Sequence, residues 1–209
     1  MKQILLFLLL ISGSMVTTLS QPFHGGIVAG FITAQVDGDS YAGFNKLGLQ
    51  GGVFISTALT HCLDARLEIK YTARGARNPA SEDNTGAYKL GLHYIDLPLL
   101  GSLRIKQFGS LELGLVPGYL FAARGEDEEG KLPEEYLVAF RKFDLGTLIG
   151  VNINISSKIA LNARYSYSIF SIRDLESAGA YYSWFGKLFG HSQGDYNNYL
   201  MFGINYLLK

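Results

Sequence analysis

The alternation of apolar and charged side chains between residues 62 and 73 constrains the fold more than any other feature of the chain. Leu67 and Ile69 occupy one set of positions, while Glu68 and Lys70 occupy the other. Successive side chains of a β-strand point to opposite faces, so a period of two predicts a strand with one apolar and one hydrophilic face. In a helix, which repeats about every 3.6 residues, the same sequence would mix both kinds of side chain on every face.

Together with this segment, eight segments after residue 22 alternate, five of them regularly and three, at residues 26–35, 46–58 and 88–103, less regularly. They span residues 26–35, 46–58, 62–73, 88–103, 110–122, 144–155, 158–169 and 199–208. The fourth segment is the least regular, which indicates a β-bulge within it. The segments are about as long as the roughly 9–11 residues that a tilted strand needs to cross a bilayer.

The connections between these segments alternate between long and short. Long polar connections follow the odd-numbered segments, and short turns follow the second, fourth and sixth. An even number of strands with short turns at one end and long loops at the other is typical of outer-membrane barrels. We therefore predict an all-β fold: an eight-stranded antiparallel transmembrane up-and-down β-barrel, with long loops outside the cell and short turns in the periplasm.

A soluble eight-stranded barrel of the lipocalin type is the alternative fold. That fold places its apolar face inside around a ligand and its polar face in water. Here one face carries Leu, Ile, Phe and Tyr in unbroken alternation, and the other carries Arg, Glu, Lys, Asn and Gly. Because a soluble barrel of that polarity would aggregate, the pattern favours an apolar face that meets lipid.

The first twenty residues have the composition of a secretory signal peptide. Lys2 supplies the positive start, residues 4–11 the apolar stretch, and residues 18–20 the small-residue exit. A transmembrane helix is the weaker interpretation, since this run is shorter than the roughly 20 residues that a spanning helix needs. We expect a signal peptide at residues 1–20 and a barrel domain at residues 21–209.

Charge and cysteine content exclude several classes of protein. The formal net charge is +0, which argues against a nucleic-acid partner held by phosphate contacts. Cys62 is the single cysteine, so no intrachain disulfide stabilises this chain. The four histidines lie in different segments without metal-ligand spacing, and no nucleophile–base pair or phosphate-binding glycine motif is present. We therefore predict that the protein is not an enzyme and needs no cofactor.

The hydrophilic face carries a set of charges that the barrel would enclose. These residues are Asp64, Arg66, Glu68, Lys70, Asp96, Glu112, Asp144, Lys158 and Arg164. Buried charges need partners, so we expect Arg66 to pair with Asp96 or Glu112, and Glu68 with Arg164. An eight-stranded barrel is narrow enough for side chains to fill it, which favours a structural plug over a conduction path.

Two of the long loops contain candidate contact residues. The third is acidic, with residues 126–129 followed by Glu134 and Glu135; a hydrated loop is the simple interpretation, and binding of divalent cations or lipopolysaccharide is the alternative. The fourth carries an aromatic cluster. Its residues include Tyr181, Tyr182, Trp184, Phe185 and Phe189. Such a cluster indicates either a protein partner at the extracellular loops or packing onto the barrel rim and lipid headgroups.

Three short motifs resemble the PorT-like family of small outer-membrane β-barrel proteins. They are Tyr94-Ile95-Asp96-Leu97-Pro98-Leu99-Leu100 in the fourth segment, Phe143-Asp144-Leu145-Gly146 with Gly150 in the sixth, and Arg164-Tyr165-Ser166-Tyr167 in the seventh. Their order and spacing match the family over almost the whole mature chain. The resemblance implies a barrel in the outer membrane with a structural or protein-interaction role. The family's namesake is linked to a protein-secretion machine; a narrow pore or transporter for small solutes is the alternative function.

The end of the chain resembles the signal that the barrel-assembly machinery recognises. Gly203, Tyr206 and Leu208 fit the alternating pattern, whereas Met201 stands where a polar residue is usual and Lys209 follows as an extra residue. The resemblance implies that this machinery and the lipid of the outer membrane are partners of the chain.

Overall fold

A computed structural model of the chain describes residues 22–39, 43–79, 86–173 and 194–208. Nearly all of the regular structure is β-sheet. The strands are β1 Phe23–Asp37, β2 Lys46–Ala58, β3 Leu63–Asn78, β4 Tyr88–Asp96, β5 Leu99–Ile105, β6 Gly109–Asp127, β7 Gly130–Lys131, β8 Phe143–Asn154, β9 Ile159–Ser168 and β10 Tyr196–Leu207. One short helix, α1, spans Glu134–Val138. Among the described residues, no helix is long and apolar enough to cross a membrane.

The strands form a closed antiparallel ring. With β4 and β5 counted as one strand and the two-residue β7 left out, each strand pairs with its neighbour in the chain. The first and last strands, β1 and β10, also pair, in a register that opposes Gly26 to Leu207 and Asp37 to Tyr196. The segments β4 and β5 act as one strand, because β3 and β6 pair with both of them. Counting β4 and β5 together, and setting aside the two-residue β7, the ring has eight strands, as the sequence predicts.

The irregular fourth strand has two local causes. Pro98 lacks a backbone N–H and lies in the break between β4 and β5, where the sheet hydrogen bonds are interrupted. A register shift between β4 and β6 at His93 and Tyr94 also leaves Phe121 without an opposite residue. The extra residue belongs to β6, so the bulge expected within the fourth segment lies on the neighbouring strand, and the fourth segment itself is interrupted at Pro98.

The two ends of the barrel differ in the length of their connections. At one end, the turn end, β2 joins β3, β5 joins β6 and β8 joins β9 through three to four residues. The other end, the loop end, carries the longer connections, including the one that contains β7 and α1. The closed ring with alternating short and long connections is the predicted up-and-down topology.

The outward face of the wall is apolar. Large hydrophobic side chains at alternate positions are exposed, among them Leu113 (66%), Ile149 (59%) and Ile153 (55%). The residue before each of these in the strand points inward: Glu112, Leu148 and Asn152 are all buried. The inward set also includes an apolar cluster, since Ile32, Leu100, Val116, Leu148 and Met201 are buried inside the ring.

Candidate functional site

The centre of the barrel is occupied by Arg164 on β9, which holds two carboxylates. Its guanidinium donates to both carboxylate oxygens of Glu68 on β3, at 2.9 and 3.0 Å. It also donates to Glu112 on β6, at 2.7 and 3.1 Å. All three residues are at most 2% exposed. Bidentate pairs of this kind are among the strongest hydrogen bonds in proteins, and here they join three strands across the interior.

Glu68 is shared by three cations. Besides Arg164, Arg66 lies 2.6 Å away through its Nε atom, and Lys70 lies 3.7 Å away through Nζ. The contact between Glu68 and Arg164 is the one that the sequence suggested. The expected pairing of Arg66 with Asp96 or Glu112 is wrong, because Arg66 instead donates to Glu68 and to Asn205 and stacks over Phe54.

A second centre lies toward the loop end, around Arg74 on β3. Its guanidinium donates to Asp96 on β4 and, at 2.9 Å, to Asp144 on β8. The rings of Tyr94 and Tyr199 flank the same guanidinium at 4.4 and 4.3 Å from their centroids. Sequence reasoning missed Arg74, which it placed at the start of a loop. Continuing the alternation of Glu68 and Lys70 beyond residue 73 would have assigned it to the inward face.

Gly118 on β6 makes room for this second centre. It lies directly between Asp96 and Asp144, since it is the register partner of both. A Cβ atom at this position would stand 2.6 Å from Asp96 Oδ1. Further donors surround the two carboxylates: Thr72 donates to Asp96 at 2.7 Å, and Ser168 and Asn197 donate to Asp144 at 2.9 and 3.0 Å.

Buried charges balance across the two centres. The first holds three cations and two carboxylates, and the second holds one cation and two carboxylates. Lys70 and Asp96 are register partners, which places the surplus positive charge next to the surplus negative one. Balanced, hydrogen-bonded charge offsets the desolvation that isolated buried charges would suffer.

Asp64 and Lys158 lie apart from these two centres. The expectation that the barrel encloses Lys158 is wrong: this residue is exposed in the turn between β8 and β9, at the turn end of the barrel. Asp64 is half-buried and pairs with Arg104 at 3.3 Å. Both residues line a cavity of about 160 Å³ that also contacts Asn152 and Asn205.

The loop end is closed by an apolar cluster. Tyr88, Leu90 and Leu92 pack there with Phe140 and Ile172. Helix α1 joins this cluster through Tyr136, whose hydroxyl lies 3.1 Å from that of Tyr88.

Arg173 and Asp195 form an ion pair beside this cluster, at 3.3 Å. The Arg173 guanidinium stacks on Tyr136 and Phe140. Burial raises the pKa of the Asp195 carboxyl, and the charge of Arg173 opposes that rise. The closure thus combines apolar packing with a paired charge.

Three further sets of predicted residues have different outcomes. The aromatic residues Tyr181, Tyr182, Trp184, Phe185 and Phe189 lie outside the described residues. Of the C-terminal signal, Gly203 is half-buried and opposite Gly30, while Tyr206 and Leu208 are 38% and 48% exposed on the outward face. The acidic residues of the third long loop are mostly exposed, and Glu128 accepts a hydrogen bond from the Ala87 amide at 3.2 Å.

A closed antiparallel ring with an apolar outward face and a paired-charge interior defines an outer-membrane β-barrel. Residues 18–174 match the family model described as "Outer membrane protein beta-barrel domain". The chain belongs to this family, and it is a transmembrane protein of the outer membrane.

Solved structures of other barrels resemble this fold. One is Ail, the attachment invasion locus protein of Yersinia pestis, in complex with the heparin analogue sucrose octasulfate. Its sequence is 16% identical and its TM-score is 0.50, and the match covers 89% of this chain and 99% of Ail. Neisserial surface protein A is 13% identical with a TM-score of 0.48, covering 88% of this chain and 96% of that protein. No curated protein matches the sequence.

Proposed function

We propose that the protein is a closed, non-conducting outer-membrane barrel that carries its long loops to the cell surface, where they bind a partner protein. The observation that supports closure most directly is the filled interior. Arg74, Arg164, Glu68 and Glu112 span the lumen on several strands and are at most 2% exposed. A continuous water path needs accessible side chains at this level.

The same observation argues against catalysis. The four carboxylates of the two centres are the candidate acids and bases of the interior, and each is paired with an arginine. A general acid or base must reach the proton that it transfers, and these groups are closed off from substrate. We propose that the carboxylates are structural and that the protein is not an enzyme.

Single-channel recording of the refolded mature protein in planar bilayers tests closure. We expect no steady conductance steps. As a positive control, the triple variant E68A/E112A/R164A removes the central charged side chains and should conduct where the wild-type protein does not. Steady, large conductance from the wild-type protein would support the narrow pore instead.

A partner at the long loops is supported by the aromatic composition of the fourth loop and by the resemblance to PorT-like proteins. We propose a component of a protein-secretion machine as that partner. A photo-crosslinking residue at Trp184 should give a discrete crosslinked product in intact cells, and the same residue at the outward-facing Leu113 serves as the control. Loss of the product in the variant Y182S/F185S supports binding through the aromatic cluster, whereas identical products from positions 184 and 113 contradict it.

A further inference from the structure

Four cations form a surface at the loop end of the barrel. This basic surface consists of Lys46 on β2, Arg77 on β3, Lys89 on β4 and Arg124 on β6. Arg77 and Lys89 are register partners, and Lys46 lies within electrostatic range of both. None of the four forms an ion pair with another described residue. The nearest acidic residue in register is Glu126, opposite Lys89.

The cations border the outward face of the wall. Arg77, Lys89 and Arg124 are exposed and alternate with inward residues such as the buried Ala76 and Leu90. Charged side chains are costly in the apolar band of a barrel and are tolerated near the interfaces. The basic surface therefore lies at the depth of the lipid headgroups.

A shallow notch of small residues lies just below the basic surface. Gly75 and Gly91 are register partners on neighbouring strands, and Arg124 is opposite Gly91 on the next strand. A Cβ atom added at Gly91 would meet only ordinary contacts, the nearest at 3.6 Å from the ring of His93. The wall therefore has room for a side chain at position 91, which lies two residues from Lys89 and opposite Arg124.

Aromatic side chains bound the notch on the side of the apolar band. The Tyr71 hydroxyl and His93 Nδ1 are 2.7 Å apart, and their rings stack at 5.9 Å. Phe121 packs against both rings at 6.2 Å. Aromatic belts of this kind mark the boundary between headgroups and acyl chains. Below them, Ile69 and Ile95 are 52% and 44% exposed.

We propose that the basic surface and the notch bind the phosphate groups of a phosphorylated glycolipid of the outer leaflet, the lipid A part of lipopolysaccharide. Arginine offers a planar fork that fits phosphate oxygens, and lysine adds a mobile point charge. The notch admits the headgroup, while Ile69 and Ile95 contact its acyl chains. A free phosphate ion would gain no contact with that apolar surface, so the occupant is a lipid.

Native mass spectrometry of the folded mature protein, titrated with bisphosphorylated lipid A in detergent micelles, tests this site. We expect R77Q/K89Q to weaken binding about 30-fold, since two cations near a charged membrane surface contribute roughly 1 kcal/mol each and about 1.4 kcal/mol corresponds to a factor of ten. The matched control K106Q/K158Q removes two cations near the turn end and should change binding less than about twofold, because both lie far from the notch. Heat-modifiable gel mobility checks that every variant is folded.

Two further measurements identify the ligand and the surface that binds it. Dephosphorylated lipid A should bind much more weakly than the bisphosphorylated form, and excess inorganic phosphate should not displace the lipid. The variant G91L keeps every cation but fills the notch, and should also weaken binding several-fold. Equal binding of dephosphorylated lipid, equal losses in the two double variants, or unchanged binding by G91L would overturn the proposal.

Discussion

Arg164 and Glu68 lie 96 positions apart in the chain, and their side chains meet in a bidentate pair at 2.9 and 3.0 Å inside the barrel. Arg164 also holds Glu112, so three strands that are not neighbours in the ring meet at one guanidinium. A lumen built in this way acts as the core of the protein, while the hydrophobic residues that form the core of a soluble protein face lipid.

Removal of the central guanidinium should destabilise the barrel strongly. In R164A, Glu68 keeps Arg66 and Lys70, but Glu112 loses the only side chain with which it forms an ion pair among the described residues. Breaking a buried pair costs about 3–5 kcal/mol. Urea titration of the refolded protein in lipid vesicles measures the free energy of unfolding.

R104A is the matched control, since it removes a partly exposed pair with Asp64. Exposed pairs contribute at most about 1 kcal/mol. Equal losses of stability in R104A and R164A would contradict a larger contribution from the central ion pairs.

A side chain at position 118 should disturb the second centre. In G118A, the new Cβ would stand 2.6 Å from Asp96 Oδ1 and force that carboxylate away from Arg74. Overpacking of this kind costs about 1–3 kcal/mol in the free energy of unfolding. Gly101 faces outward with its nearest contact at 3.8 Å, so G101A should change stability by less than about 0.5 kcal/mol. A neutral G118A would show that the interior is looser than these distances indicate.

Charge on the outward face should be costly in proportion to depth. Leu113 is 66% exposed within β6, whereas Phe23 is 71% exposed at the first residue of β1. Arginine near the bilayer midplane costs about 2–4 kcal/mol, falling to about 0–1 near the interface. Unfolding in lipid vesicles should therefore show L113R losing far more stability than F23R. Similar losses would mean that the two positions lie at the same depth.

Cys62 reports the orientation of the barrel. It is the only cysteine in the chain and is exposed next to a short turn. If the turn end faces the periplasm, a membrane-impermeant maleimide should label Cys62 only after the outer membrane is permeabilised. In the variant C62S/E129C, the new thiol lies at the loop end and should be labelled in intact cells. Labelling of Cys62 in intact cells would invert the predicted orientation.

The sequence alone determined the number of strands, their order and the face on which most residues lie. Leu67 and Ile69 against Glu68 and Lys70 show how the faces are assigned, because successive side chains of a strand point to opposite sides. The alternation did not predict that Lys158 lies in a turn and is exposed. The sequence also gave no inward position for Arg74, because the predicted strand ended at residue 73, whereas β3 continues to Asn78.

Apart from the pair of Glu68 and Arg164, only the tertiary structure decided which charges meet. The position of each inward residue along the barrel axis depends on how neighbouring strands are staggered around the closed ring. The sequence of a single strand does not determine that stagger. Arg74 therefore reaches Asp96 and Asp144 on either side of Gly118, and Arg66 contacts Glu68 rather than Asp96. The pleat of one strand decides on which face a side chain lies. The stagger of all strands in the closed ring decides which side chains meet across the lumen.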